Sequence, residues 1–205
     1  MCGIGDQNMT MNKLQKKIDL YKKIRVMGVD DSPFNKKEDS IVNIAGIICS
    51  DTRFEGMLWN KVTRDGSDAT EVIATMLCHS KFHDQVDVVL LDGIAVGGFN
   101  IIALPDLYAY TNKPCIAVMR KQPNLHLINR ALKKFEDSEK RIKAIQQAGA
   151  IYHIDNFIFQ VHGCDEHLAA KVLRQVTDTG HVPEALRLAH IIGSAIKTGV
   201  SSNRA

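Results

Sequence analysis

Apolar positions change their spacing along this chain, and each change marks a different kind of element. Between residues 12 and 23, Leu14, Ile18 and Tyr21 recur at helical spacing with lysines between them. That pattern predicts a short amphipathic helix with a solvated basic face. Residues 25–30 (RVMGVD), 41–50 (IVNIAGIICS) and 55–64 (EGMLWNKVTR) read as three strands. The gaps between them hold the Ser, Pro, Asn, Asp and Gly of turns, and are short enough for an antiparallel meander.

The pattern then switches to alternating helices and buried strands. Residues 68–79 (DATEVIATMLCH) predict a helix, with Asp68 as N-cap and Glu71 three residues later completing a capping box. Residues 86–91 (VDVVLL) form an almost wholly apolar run ending at Asp92-Gly93, the signature of a parallel strand covered on both faces. Helix 104–110, strand 114–119 and helices 125–135 and 138–148 follow. A strand pair comes next at 150–154 and 157–161. Helices at 166–176 and 184–197 close the chain, the second after Pro183 at its entry.

This order predicts an α/β fold. An antiparallel meander and parallel βαβ strands make a mixed five-stranded sheet flanked by helices, with additional C-terminal strands and helices. Residues 1–205 are expected to form one domain, with an N-terminal extension over 1–24, the main body over 25–199 and a tail at 200–205.

Composition narrows the class. Of the 205 residues, 45% are apolar and 24% charged, which argues against a wholly disordered chain, a collagen or a coiled coil. No apolar run approaches the roughly 18 residues of a membrane helix. The opening residues lack a basic start followed by an apolar stretch. A cytoplasmic protein with no membrane partner is expected. The cysteines (Cys2, Cys49, Cys78, Cys115 and Cys164) are scattered and never form a CxxC pair. They read as reduced thiols packed as small apolar groups. A net charge of +3 permits an anionic partner without demanding one.

Candidate chemistry lies in the acids that end buried strands, because ligands gather where strands of an open α/β sheet end. Asp30 closes VMGV and Asp92 closes VDVVLL. If their strands are neighbours, the two carboxylates emerge together, and Glu71 in the first turn of the intervening helix can point back toward them. Converging carboxylates repel unless a cation sits among them. Mg²⁺ or Mn²⁺ favours such oxygen ligands and serves in-line attack on a phosphodiester. Taken singly, each acid also has an ordinary reading: Asp30 and Asp31 as turn formers before Pro33, Glu71 as a capping-box residue, Asp92 as turn chemistry before Gly93.

The motifs GVDDS at 28–32, Glu71 at a helix start, LLDG at 90–93 and PEALRLAH at 183–190 resemble the endonuclease V superfamily. The stretches VMGVDDSPF, DATEVIATML, VVLLDGIAVGGFN, CIAVMRKQP and VPEALRLAHIIGSAI resemble, more closely, a mostly archaeal family related to those enzymes. The resemblance runs from about Arg25 to the C-terminus. It implies a ribonuclease H-like fold and a nuclease acting on DNA or RNA. It also implies a metal site of Asp30, Glu71 and Asp92 holding Mg²⁺ or Mn²⁺. The family's basic residue after the fifth strand falls at Arg120, with Lys121 beside it, as phosphate contacts. A late histidine or aspartate completing the site falls at His162 or Asp165. The glycine-rich IAVGGFN loop after Asp92 would let a phosphate backbone approach at Gly97 and Gly98.

One departure is evident. Endonuclease V carries an aromatic, proline-containing wedge between the third strand and the helix glutamate, which separates bases at a deaminated lesion. Here residues 62–71 read VTRDGSDATE, with neither an aromatic nor a proline. Activity unselective for deaminated bases, and a preference for single strands, is therefore expected. Two other functions fit the same residues: a non-catalytic nucleic-acid-binding protein on this fold, and a hydrolase of a small phosphorylated molecule.

Overall fold

A computed structural model describes residues 7–202. Its centre is a seven-stranded sheet in the order β3-β2-β1-β4-β7-β9-β8. Strands β1 (Arg25–Asp31), β2 (Ile41–Ser50) and β3 (Arg53–Thr63) form the antiparallel meander. Strands β4 (Val88–Asp92) and β7 (Cys115–Met119) lie parallel to β1 through the β1–β4 and β4–β7 pairings. β9 (Phe157–His162) pairs antiparallel with β7, and β8 (Tyr152–Ile154) with β9. The expected C-terminal strands thus extend the same sheet.

Successive side chains of β1 point to opposite faces. Val26 joins a core with α1 (Gln7–Asp19), α6 (Glu166–Gln175) and α7 (Glu184–Thr198). Met27 and Val29 join a second core with α2 (Ala69–Cys78) and α3 (Leu104–Thr111). Both faces of β4 are filled in the same way, Val88 and Leu90 on the α7 side, Val89 and Leu91 on the α2 side. This is why the strand reads as a continuous apolar run. Each such leucine contributes about 1.5–3 kcal/mol of burial.

The contact between α7 and β1 is unusually close. A Cβ on Gly28 would lie 2.6 Å from the backbone carbonyl carbon of Ala185, and one on Gly193 2.9 Å from Ser32 Oγ. Ala185, Ala189 and Gly193 recur every four residues, so α7 turns a stripe of small buried residues toward the strand. That packing fixes the height of every residue on α7 above β1.

Several boundaries differ from expectation. Helix α1 runs earlier than predicted because Tyr21 turns left-handed (φ 52°) and is 95% exposed, while Leu14 and Ile18 are buried. The expected capping box does not form. The Asp68 carboxylate instead accepts from the N–H and Oγ1 of Thr63 and from Asn100 Nδ2, and Asn100 Oδ1 accepts the Ala69 N–H. The cap therefore comes from a residue 31 positions away, which sequence spacing cannot reveal. The glycine-rich loop folds into a two-stranded hairpin, β5 (Ala95–Val96) with β6 (Asn100–Ile101). Two helices follow β7, α4 (Leu125–Leu132) and α5 (Ser138–Gln147). Cys49, Cys115 and Cys164 are free, as expected. Cys78 is disulfide-bonded, a correction to the all-reduced reading, and Cys2 lies outside the described residues. No helix among the described residues is long and apolar enough to cross a membrane.

Candidate active site

The pairing of Val29 with Leu91 sets the next residues, Asp30 and Asp92, side by side at the ends of two parallel strands. Strands in a sheet lie about 5 Å apart, and laterally paired residues share a face. Both carboxylates therefore emerge on the α7 side. Asp30 is 6% exposed. Its Oδ1 accepts the Asp31 N–H at 2.8 Å, and its Oδ2 lies 3.0 Å from His190 Nδ1. A carboxylate only accepts, so Nδ1 is the protonated ring nitrogen in this pair. Asp92 Oδ2 accepts from Arg120 Nη2 at 3.2 Å, directly after β7 ends.

Asp31 points to the other face, where its Oδ2 accepts the Gly97 N–H at 2.6 Å. Burial, then the charges of Asp30 and Asp92, pushes the Asp31 carboxyl up to about 6, against the Gly97 hydrogen bond. Burial, then Asp30, also raises Asp92, against the pull of Arg120 and His190. His190 is raised chiefly by its hydrogen bond to Asp30, despite burial. The Asp30 charge, which raises both Asp31 and Asp92, is the kind of crowding that a bound cation relieves.

Among the described residues, no three His, Cys, Asp or Glu side chains are gathered to hold a metal ion. Asp31 faces away, and His190 and Arg120 engage the other two acids. Mg²⁺ commonly binds through only one or two carboxylates, with waters and substrate phosphates completing the shell. Asp30 and Asp92 fit that pattern.

The remaining candidates lie elsewhere or have other partners. Glu71 is exposed and opens onto a separate cleft of about 200 Å³ beside Asp106, Tyr110 and Lys140. His162 stacks edge-on against Tyr108, with ring centroids 5.3 Å apart. Asp165 caps α6 by accepting the Leu168 N–H at 2.8 Å. Lys121 is exposed beside Arg120. Gly97 and Gly98 have positive φ, 56° and 92°, and close the hairpin turn tightly against Val62 and Asp65. The Gly97 N–H is held by Asp31 and its carbonyl by the Asp65 N–H, so both groups serve the turn.

The 62–71 segment is pinned by polar contacts. Buried Arg141 donates to the carbonyls of Phe99 and Asp65, and Asp65 Oδ1 accepts the Phe99 N–H. His190 and Asp31 are the two site members that the sequence reading did not assign. His190 had a detectable signal, because it immediately follows Ala189 of the small stripe.

Residues 22–197 match the family described as endonuclease dU. The chain belongs to that family. Among its relatives is the UPF0215 protein of Methanosarcina mazei, 37% identical over 188 residues, covering 89% of this chain and 95% of the relative. A UPF0215 protein of Pyrococcus furiosus is 39% identical over 188 residues, covering 88% and 96%. The crystal structure of a protein of unknown function from Archaeoglobus fulgidus superposes with a TM-score of 0.81 at 32% identity, covering 85% of this chain and 98% of that one. Endonuclease V of Ciona intestinalis, solved with a 24mer DNA containing an inosine followed by a ribo-adenosine, gives a TM-score of 0.54 at 18% identity, covering 89% and 92%. That likeness concerns the fold alone, and the chain is accordingly ribonuclease H-like in fold.

Proposed function

We propose that this member of the endonuclease dU family is a divalent-metal-dependent endonuclease that cuts nucleic-acid phosphodiesters. The observation that carries the reading is the pairing of Asp30 and Asp92 at adjacent strand ends, with His190 on one acid and Arg120 on the other. Asp30 and Asp92 would hold Mg²⁺ or Mn²⁺. Such an ion, when bound, acidifies water for attack and stabilises the leaving oxygen. Arg120 and the neighbouring Lys121 contact phosphate; arginine's fixed charge suits binding more than proton donation. His190 holds the Asp30 carboxylate in one rotamer and carries a proton at Nδ1.

The family description names dU, so deoxyuridine-containing DNA is the first substrate to test. It weighs against the unselective cutting expected from the polar 62–71 loop. The experiment compares labelled oligonucleotides bearing deoxyuridine, inosine or no lesion, each single-stranded and duplex, in Mn²⁺, Mg²⁺ or EDTA. Asp30→Ala serves as the blank. Cleavage that needs metal and is absent in the blank is expected. Equal cutting of all three bases would return the unselective reading. A second reading, a nucleic-acid-binding protein without catalysis, is favoured by the protein donors already engaging Asp30 and Asp92. Salt-dependent binding with no cleavage above the blank would establish it.

A further inference from the structure

The two edges of the sheet are unequal. β8 closes one with three residues, whereas β3 closes the other with eleven and no proline. A long edge strand offers a row of backbone groups to another strand. The ladder shows which groups those are. The Asn43 carbonyl accepts the Ser32 N–H, so Asn43 turns its backbone toward β1. Successive residues alternate, so Ile44 and Gly46 turn theirs toward β3, where they pair with Asn60 and Leu58. Met57, Trp59, Lys61 and Thr63 therefore turn N–H and C=O to the open edge. At Thr63 those groups are engaged, the N–H by Asp68 and the carbonyl by Asn100 and Gly66. The Lys61 N–H donates to Asn60 Oδ1. Among the described residues, no backbone group pairs with the outward groups of Met57 and Trp59.

The side chains at the same positions are apolar. Met57 lies opposite Ile47 and Trp59 opposite Ala45, both on the α7 side of the sheet. Trp59 packs against that core, and Met57 is 36% exposed. Lys61 follows with its side chain exposed. At the other end of the strand, Arg25 Nε and Arg53 Nη2 each reach the Glu55 carboxylate at 2.6 Å. Glu55 adjoins the β-bulge opposite Ile48 and Cys49.

We propose that β3 pairs antiparallel with β3 of a second copy of this chain, about a twofold axis at Leu58. Outward residues must oppose outward residues, so the axis falls on a residue and not between two. An axis at Leu58 sets Met57 against the partner's Trp59 and Lys61 against the partner's Glu55. Both Met57–Trp59 pairs can then exchange their backbone hydrogen bonds. An axis at Met57 would oppose Lys61 to an arginine at position 53, and one at Trp59 would oppose it to a methionine at 57. An axis at Asn60 would need the backbone of Thr63, which is already engaged. A lysine on an edge strand ordinarily keeps other strands away. Opposite an acid it selects one register instead. Charge and apolar matching thus coincide only when the strand meets its own sequence. The axis stands perpendicular to the sheet. It keeps both α7 helices on one face and points the two Asp30–Asp92 sites in opposite directions, so neither completes the other.

The test uses the full chain. Light scattering should give twice the chain mass at tens of micromolar. Lys61→Glu sets acid against acid and Glu55→Lys sets base against base, so each variant alone should be monomeric. Mixed one to one, the two should form a heterodimer, because every opposed pair is then opposite in sign. Glu55→Lys also removes the acceptor of Arg25 and Arg53, so thermal melts check its fold. A cross-link gives the answer without it. At the axis Leu58 meets its own copy in a non-hydrogen-bonded pair, with Cα atoms about 4.5 Å apart, within disulfide range. Leu58→Cys should therefore link to near completion under mild oxidation, against wild type as the background for the native cysteines. Met57→Cys meets its copy only diagonally, at about 7–8 Å, and should not link. A monomeric wild type, a dimer that survives Lys61→Glu, or linking at Met57→Cys equal to that at Leu58→Cys would overturn the proposal.

Discussion

Nδ1 of His190 lies 3.0 Å from Oδ2 of Asp30, across 160 residues of sequence. One partner sits one residue before the end of β1 and the other on α7, the helix packed closely against that strand. The pair gives His190 a defined tautomer and Asp30 a defined rotamer. A positioned acid–base group contributes roughly 10²–10⁴-fold to a hydrolytic rate. His190→Ala should therefore lower kcat at least 10²-fold on the best substrate, while His190→Gln, which keeps a donor near Asp30, should retain more activity. Single-turnover cleavage checks this, and a His190→Ala rate within twofold of wild type would remove His190 from the machinery.

The position of that histidine depends on a glycine it does not touch. An alanine at Gly28 would set its Cβ 2.6 Å from the Ala185 carbonyl carbon and 2.7 Å from the Ala185 Cβ. Backbone cannot yield as a side-chain tip can, so α7 must lift away from β1. Overpacking of this kind costs about 1–3 kcal/mol, or a midpoint about 4–8 °C lower for a loss near 2 kcal/mol in a chain of this size. Gly28→Ala should lose activity in proportion to the lift of His190. Ala185→Gly should not rescue it, because the carbonyl carbon remains in the way. Thermal melts and cleavage assays of the single and double variants test this, and full rescue would sink the argument.

Metal dependence has a signature separate from activity. Burial and Asp30 both penalise the ionised form of Asp92. Removing that charge should raise stability in EDTA near neutral pH, because a repelled carboxylate is lost. A cation that binds only the folded state raises the midpoint by mass action. Wild type should gain stability with millimolar Mn²⁺, and Asp92→Asn should start higher and gain nothing. The same Mn²⁺ gain in both proteins would remove Asp92 as a ligand.

Much of this architecture is legible in the chain. Each main strand and helix has a periodic segment of its own, and the Asp30–Asp92 adjacency follows from two acids ending buried runs. What escaped was set by distant partners. Asn100 usurped the capping box at Asp68, and the glycines of the 93–99 loop closed a hairpin on Asp31 and Asp65. Glu71 was expected beside the two aspartates from its first-turn position. Yet α2 packs on the sheet face opposite α7, and Glu71 opens onto the cleft with Lys140. The family resemblance puts a late histidine or aspartate at His162 or Asp165, whereas the histidine beside Asp30 comes from α7, where face matters more than distance along the chain.

The Asp68 cluster gives a prediction confined to stability. Partial burial pushes the Asp68 carboxyl up, but hydrogen bonds from Asn100 and Thr63 outweigh it, and its pKa falls below the ordinary value of 3.8. A carboxyl lowered on folding stabilises the native state above its unfolded pKa. That contribution is lost as pH falls through the folded value. Wild type should therefore lose stability below about pH 4 as this anchor protonates. Asp68→Ala removes the acceptor of three donors and should cost about 1–3 kcal/mol at pH 7. Its deficit against wild type should shrink as pH drops below 4. Urea melts of both proteins between pH 3 and pH 7 measure that gap, and a gap constant with pH would show that the Asp68 charge contributes nothing to the fold.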